Sequence, residues 1–379
     1  MRIPSAVLVT LAATLAAAAP AAATTASEAI DFLNQQRAAN QIPGTITEDA
    51  YYNTGCRNHN GYMEQNGLQH GEDPGAPGAT PEGGDYNNIG EVLAQGGGGW
   101  TASTNPWDAA PLHQTILFDP KISTAGYDED SGFFCMRLHS EFVQRPAPTL
   151  YAYTGNKGRT DVPTSITVNG EGPYAPQEAV GIPQGVPTGP QILFLTDQFG
   201  AANHATSFSL KGPGGGEVEA KLVDSTTPPP DGNSYKPFNA GGDLIPVHAL
   251  DPFTTYEVSI TWQDDNTGLV TPQTLSFKTA GFQRGVALKL SKKLARGRKA
   301  TLTAPAEAGG QKATVKIAVQ RKGKKNAKTV STKTITLKSS QKIKTPRKPK
   351  GGHVIVTVSV KKFTLGDTQF TVTPAKRRY

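Results

Sequence analysis

Only two cysteines, Cys56 and Cys135, occur in 379 residues. So few exclude a small scaffold held together mainly by disulfides. No serine or cysteine stands in a motif that would make it a nucleophile, which argues against covalent catalysis. Beyond the first residues there is no apolar run long enough to cross a bilayer. Acidic residues are nearly missing from 283–379, where 26 Lys and Arg face two acids, a balance of +24. The rest holds 12 basic and 29 acidic residues, a balance of −17, so the overall +7 conceals an acidic front and a very basic tail.

What is present begins with MRIPSAVLVTLAATLAAAAPAAATT. One arginine, an apolar stretch and a small-residue site ending at Ala23 read as a secretory signal peptide over 1–23. The mature protein is then expected to be soluble and exported, without a membrane span, and long enough for two or three domains. In an oxidising compartment Cys56 and Cys135 are expected to form a disulfide, a metal site being the alternative. With 41 Gly and 29 Pro against 36% hydrophobic residues, the chain reads as folded but rich in strands and loops.

The stretch Trp107–Tyr127, WDAAPLHQTILFDPKISTAGY, organises the first half. Pro111 opens a helical turn carrying His113, Ile116 and Leu117 anchor it, and Asp119-Pro120 stops it. Gly126-Tyr127 leads into a hairpin with DEDSG as the turn and FFCMRL as the returning strand. Upstream, Thr25-x-x-Glu28 is a capping box, predicting a helix to about Asn40. A second helix is expected from near Thr47 to Gly67, with Tyr52, Cys56, His59 and Met63 on one face and His59 packed in the core. Residues 71–85 read as a loop, 89–93 as a short apolar segment, and GGGGW as flexible.

The elements LNQQR, ITEDAYYNTGCRNHNGYM, GLQHG, GEVLAQG and W-x-x-x-P-x-H follow one another over residues 27–140. In that order and spacing they resemble the CAP superfamily, the secreted SCP/PR-1-like domain in its short bacterial form. The resemblance implies an α+β fold, a three-layer α-β-α sandwich over 24–145, with a cleft of two histidines and two acids that binds a divalent metal in some members. Carried over by position, the family's histidines fall on His70 and His113, and its first glutamate on Glu91. Two departures stand out: Val92 replaces the usual asparagine, and Ala110 occupies the place of the second glutamate. The remaining set of His70, Glu91 and His113 could hold zinc or magnesium with an open water position, as in a secreted hydrolase or peptidase. It could equally take a small ligand or lipid, or form a satisfied polar network without metal.

From Arg145-Pro146 onward, short alternating segments (LYAYT, SITVN, QILFL, TSFSLKG, VEAKLVD, TYEVSITWQ, TLSFKTA) are separated by turn residues. Over 146–281 they read as an antiparallel sandwich resembling Ig-like or fibronectin-III-like modules, with His204 and His248 in surface or packing roles. Residues 282–379 repeat the pattern as a second all-β sandwich with one wet face. Its loops carry Lys292, Lys293, Arg296, Arg298, Lys299, Arg321, Lys322, Lys324, Lys325, Arg347, Lys348 and Lys350. That charge exceeds what solubility requires and predicts contact with anionic cell-wall or surface polymers, holding the protein at the cell envelope. Nucleic acid is the poorer partner, because few aromatics accompany the basic loops. The expectation is a non-enzymatic extracellular binding protein, and the competing class is the metal-dependent hydrolase.

Overall fold

The computed structural model describes residues 23–379 except 86–89, 97–98, 103, 142–148, 198–201, 231–233, 237, 296 and 366–367. The expected signal peptide, but for Ala23, and the expected break at 145/146 lie outside the described residues, as does Arg296 of the basic loops.

Helix α1 spans Ala26–Ala39 and starts on the capping box, with Thr25 and Glu28 satisfying each other's backbone N–H groups. Strand β1 (Thr47–Glu48) follows, then helix α2 (Ala50–Asn66), capped by Asp49 and ended at Gly67 with φ 86°. The helix begins three residues later than its sequence predicts, because Thr47 and Glu48 first pair parallel with β3 (Ile122–Asp130). Residues 71–85 are not all loop: Thr80 caps a single turn, α3 (Pro81–Gly84). Strand β2 (Gly90–Gln95), helix α4 (Pro111–Leu117) and strand β4 (Phe133–Ser140) complete the unit.

The strands form one sheet in the order β1-β3-β4-β2. The β3–β4 hairpin turns on Ser131 and Gly132, both at positive φ, as a two-residue turn requires. Asp128, Glu129 and Asp130, read from sequence as part of that turn, are still paired strand. Side chains alternate along β4. Phe134, Met136 and Leu138 join Ala29, Ile30 and Leu33 of α1 in one core, while Phe133 and Cys135 join Cys56 and Met63 of α2 in another. Helices α1 and α2 therefore cover opposite faces. Gly126 of β3 is where α2 comes closest, since a Cβ there would strike the backbone of Tyr52 and Asn53. The Cys56–Cys135 disulfide ties α2 to β4, with Cα atoms 5.3 Å apart.

A second unit follows. Strands β5 (Leu150–Tyr153), β6 (Ile192–Thr196), β8 (Ala220–Asp224) and β9 (Gly242–Pro246) form a sheet in the order β5-β6-β9-β8. Strands β7 (Asn203–Lys211), β10 (Thr255–Asp264) and β11 (Val270–Lys278) form a second sheet, β11-β10-β7. Phe194, Ile192 and Leu244 of the first sheet pack against Val258, Ile260, Trp262 and Phe277 of the second. The other face of the first sheet, with Tyr153, Leu193 and Leu195, belongs to the core shared with α1, and Tyr153 stacks on Phe118 at 4.1 Å. Burial on both sides explains why QILFL is a continuous apolar run rather than an alternating one. SITVN, expected as a strand, makes a single bridge from Ile166 to Thr188. GDLIP, which sequence patterning passes over, is the inner strand β9.

The last unit is also all β. Its strands are β12 (Phe282–Ala287), β13 (Lys289–Leu290), β14 (Lys299–Thr303), β15 (Lys312–Gln320), β16 (Lys328–Thr336), β17 (Ser340–Lys344), β18 (His353–Val360), β19 (Phe363–Leu365), β20 (Thr368–Thr373) and β21 (Ala375–Arg378). The sheets β12-β20-β19, β13-β14-β17 and β16-β15-β18-β21 enclose one core, whose buried members run from Val286 to Ala375. Among the described residues, no helix of the chain is long and apolar enough to cross a membrane.

Candidate functional site

His70 and Glu91 meet. His70 follows the Gly67 stop of α2, half exposed, and its Nδ1 lies 3.0 Å from Glu91 Oε2. Glu91 sits on β2 directly across from Arg137 of β4, whose Nε donates to Glu91 Oε1 at 2.9 Å. Arg137 is fully buried, and its remaining nitrogens donate to the carbonyls of Glu82 and Gly83 on α3. Burial pushes the Glu91 carboxyl up, but the His70 hydrogen bond and the Arg137 guanidinium outweigh it and hold the group below its ordinary range. Gly55 of α2 leaves room for the guanidinium, since a Cβ there would collide with it. Sequence reasoning missed Arg137 because a lone arginine in FFCMRL carries no motif; the clue lay in its place, at an inward position of a strand opposite a glutamate.

His113 pairs with a different carboxylate. It is the third residue of α4, and its Nδ1 lies 3.1 Å from Glu171 Oε1, which also accepts from the backbone N–H groups of Leu112 and His113. Ala110, the N-cap of α4, has no side-chain oxygen to offer, so a carboxylate from 61 residues downstream does the capping. Glu171 is raised by burial, against the lowering effect of His113. Asp243 of β9, fully buried, is pushed well above the carboxylate range by burial and then by Glu171. Thus His70 and His113 each pair with a different acid. Among the described residues, no group of three His, Cys, Asp or Glu side chains is placed to hold a metal ion.

A third pair was unforeseen. His59 is buried as expected, but its Nδ1 lies 3.0 Å from Glu72 Oε1 and its Nε2 lies 3.0 Å from the Gln69 carbonyl. A carbonyl only accepts, so Nε2 carries a hydrogen. Glu72 Oε2 in turn accepts from Thr80 N, the cap of α3. His59 is therefore a brace for the loop that delivers His70. His204 of β7 pairs with Asp265 near the surface.

Between α4 and β5 lies a cavity of about 460 Å³, lined by Asp108, Gln114, Tyr153, Asn156 and Gln191 among others. Burial raises the Asp108 carboxyl to about 6, against hydrogen bonds from Asn156 and the backbone of Asn105. A folded value above the unfolded one means that the ionised form costs stability. The cost is absent below about pH 4 and complete above about pH 6. Asp108→Asn is accordingly expected to stabilise the protein by about 1–3 kcal/mol at pH 7.5 and by nothing at pH 4. Thermal unfolding of both proteins at the two pH values checks this.

The cations expected to meet a polyanion form a separate surface. Lys292, Lys293, Arg298, Lys299, Arg321, Lys322, Lys324, Lys325, Arg347, Lys348 and Lys350 are all exposed. On the outer face of the sheet β16-β15-β18-β21, Lys316 stands between Thr332 and Thr357, and Thr357 is opposite Lys376. In this unit the described residues show one ion pair, Arg284 with Glu307, and no ion pair to the acidic front.

The downstream units are all-β sandwiches by their own sheets and cores. No protein-family model matches the chain. No curated protein matches it either. Solved structures that align with it include a two-domain fibronectin type III segment of chicken tenascin, at 13% identity, over 50% of this chain and 91% of that one, with a TM-score of 0.20. A segment of titin aligns at 10% identity over 68% and 82%, TM-score 0.18. The chicken CNTN1 FN1-FN3 domains align at 16% over 49% of this chain, spanning 61% of their own length, TM-score 0.16. Values this low lend no weight to a shared fold.

Proposed function

We propose that this is an exported, non-enzymatic binding protein whose residues 282–379 hold it to anionic cell-wall or surface polymers. Its first unit, a CAP-like α-β-α domain, presents a ligand cleft near His70, Glu91 and His113. The observation that carries the reading is the segregation of charge. Twenty-six cations are gathered in the last unit, and the described cations of the loops named above, with Lys316 and Lys376 on the sheet, point to solvent. Edge lysines that merely prevent aggregation need no such excess. The order of motifs over 27–140, with helices on both faces of the β1–β4 sheet, supports the CAP assignment. Both imidazoles are engaged by separate acids, one of them braced by a buried arginine, which suits a rigid binding surface better than metal-activated water.

The full chain should bind isolated anionic cell envelope at low ionic strength and elute as salt rises. Screening lengths fall from about 10 Å at 0.1 M to about 3 Å at 1 M, so surface attraction of this kind is lost over that range. Sedimentation of envelope with bound protein, at stepped salt, measures it. Binding indifferent to salt would remove the electrostatic reading.

A further inference from the structure

A cavity of about 440 Å³ opens on the outer face of the sheet β16-β15-β18-β21, where β15 begins and β18 ends. Lys312, Lys361 and Lys362 bring three ammonium groups to its walls, and no Asp or Glu lines it. The strand register explains the gathering. Ala313 and Val315 point into the core, so Lys312 and Thr314 point outward. Ala313 pairs with Val360, which sets Lys361 opposite Lys312, one step past the end of β18. Like charges placed so repel each other and weaken the sheet. Among the described residues neither lysine has an ion pair, the single one of this unit joining Arg284 to Glu307. An anion seated between the two lysines removes that repulsion.

The other polar walls suit the same guest. Thr314 stands between Thr334 and Ser359, a row of three hydroxyls across three strands. Each hydroxyl, like the Gln311 amide, can donate to an oxygen as well as accept. The Lys312 ammonium donates one hydrogen to Thr336 Oγ1 at 2.9 Å, which steadies it and leaves two for a ligand. Lys312, Thr314, Thr334, Lys361 and Lys362 are exposed, so a ligand arriving from solvent reaches them directly.

No arginine lines the cavity, so the flat fork that matches a planar carboxylate is missing. Lysines act as point charges that can meet a tetrahedral phosphate from several sides. The volume falls within the roughly 300–1,000 Å³ of small-molecule sites, enough for a phosphate and the units it joins. Val360 and Phe363 supply an apolar wall for the carbon atoms of those units. Phe363 is the one aromatic of the wall, stacked on Phe370 at 5.2 Å, and makes no platform for successive bases. We propose, resting on the envelope-binding reading above, that this cavity binds a phosphodiester joining polyol or sugar units of the anionic polymer.

The test compares two variants of the full chain, each short of three positive charges. One carries Lys312→Gln, Lys361→Gln and Lys362→Gln. The other carries Lys322→Gln, Lys324→Gln and Lys325→Gln, in the loop beyond the far end of β15. Calorimetry at fixed low salt measures binding of poly(glycerol phosphate), polygalacturonate and single-stranded DNA at matched charge. The cavity variant should bind poly(glycerol phosphate) more than about tenfold less tightly, the loss of at least one charge-assisted hydrogen bond. On the other two polymers it should lose no more than the loop variant, which should weaken all three by similar, smaller factors. Equal losses of the two variants on poly(glycerol phosphate) would overturn the proposal and leave envelope binding to the general field of the unit. A loss as large on polygalacturonate would overturn it in favour of any anion, and a larger one on DNA in favour of nucleic acid. If the parent binds none of the three, the envelope-binding reading fails and the cavity site with it.

Discussion

Replacing Arg137 with methionine is expected to cost about 3–5 kcal/mol at pH 7, because it strands a buried carboxylate. Glu91 is 8% exposed and would keep only His70 as a partner, while the carbonyls of Glu82 and Gly83 would lose their donors. The pH dependence identifies the cause. In the parent, Glu91 titrates below its ordinary range, so its pairing adds stability above the unfolded value near 4.5, and that stability is lost as pH falls through the folded value. In the variant the folded value rises above the unfolded one, so the deficit should be complete at pH 7 and shrink toward pH 4 as Glu91 takes up a proton. Adding Glu91→Gln to Arg137→Met should recover part of the loss, because the charge no longer needs a partner. Calorimetric unfolding of the four proteins at both pH values gives the comparison. A deficit that does not change with pH would show that Arg137 acts through packing alone.

The double variant Cys56→Ala, Cys135→Ala is expected to lose about 2–5 kcal/mol, chiefly because the bridge closes a loop of 79 residues in the unfolded chain. Both sulfurs are fully buried between α2 and β4, so the folded protein should resist reductant that readily opens the bond once denaturant is added. Denaturant titrations with and without reductant, beside the variant, measure both effects. Equal midpoints for oxidised parent and variant would mean that the packing of Met63, Leu93 and Phe133 suffices without the bond.

Local chemistry was legible in the sequence wherever a short segment determines its own shape. The capping box at Thr25, the Gly67 stop, the Pro111 turn and the strand pattern of FFCMRL all depend on residues a few positions apart. Elements decided by distant partners were not. Strand β1 exists because Thr47 and Glu48 find β3, some 77 positions away, and that contact displaces the start of α2 to Ala50. GDLIP, with glycine at one end and proline at the other, carries no strand pattern, yet it is an inner strand, β9, buried along its whole length. SITVN alternates well but finds no second strand beyond one bridge.

The site divides along the same line. His70 and Glu91 lie 21 positions apart, one just past α2 and the other on β2, and the resemblance alone places them together. Glu171 has no motif at all. It reaches His113 from the segment read as the start of the next module, and the two segments are brought together by contacts between distant residues, among them Tyr153 on Phe118 and Asn40 with Thr154 and Gly155. Histidines advertise chemistry in a sequence, whereas the carboxylates and the arginine that fix their orientation do so only once the sheet register is known.

The most direct test of the central claim compares the full chain with one ending at Gly281 on an immobilised anionic polymer, under increasing salt. The last unit has its own core and, among the described residues, no ion pair to the rest, so its removal leaves the upstream cores whole while reversing the net charge. The full chain should be retained at low ionic strength and released as salt rises, and the shortened chain should pass through unretained. Equal retention of the two at low salt would contradict the account, leaving the lysines as guards against edge-to-edge aggregation.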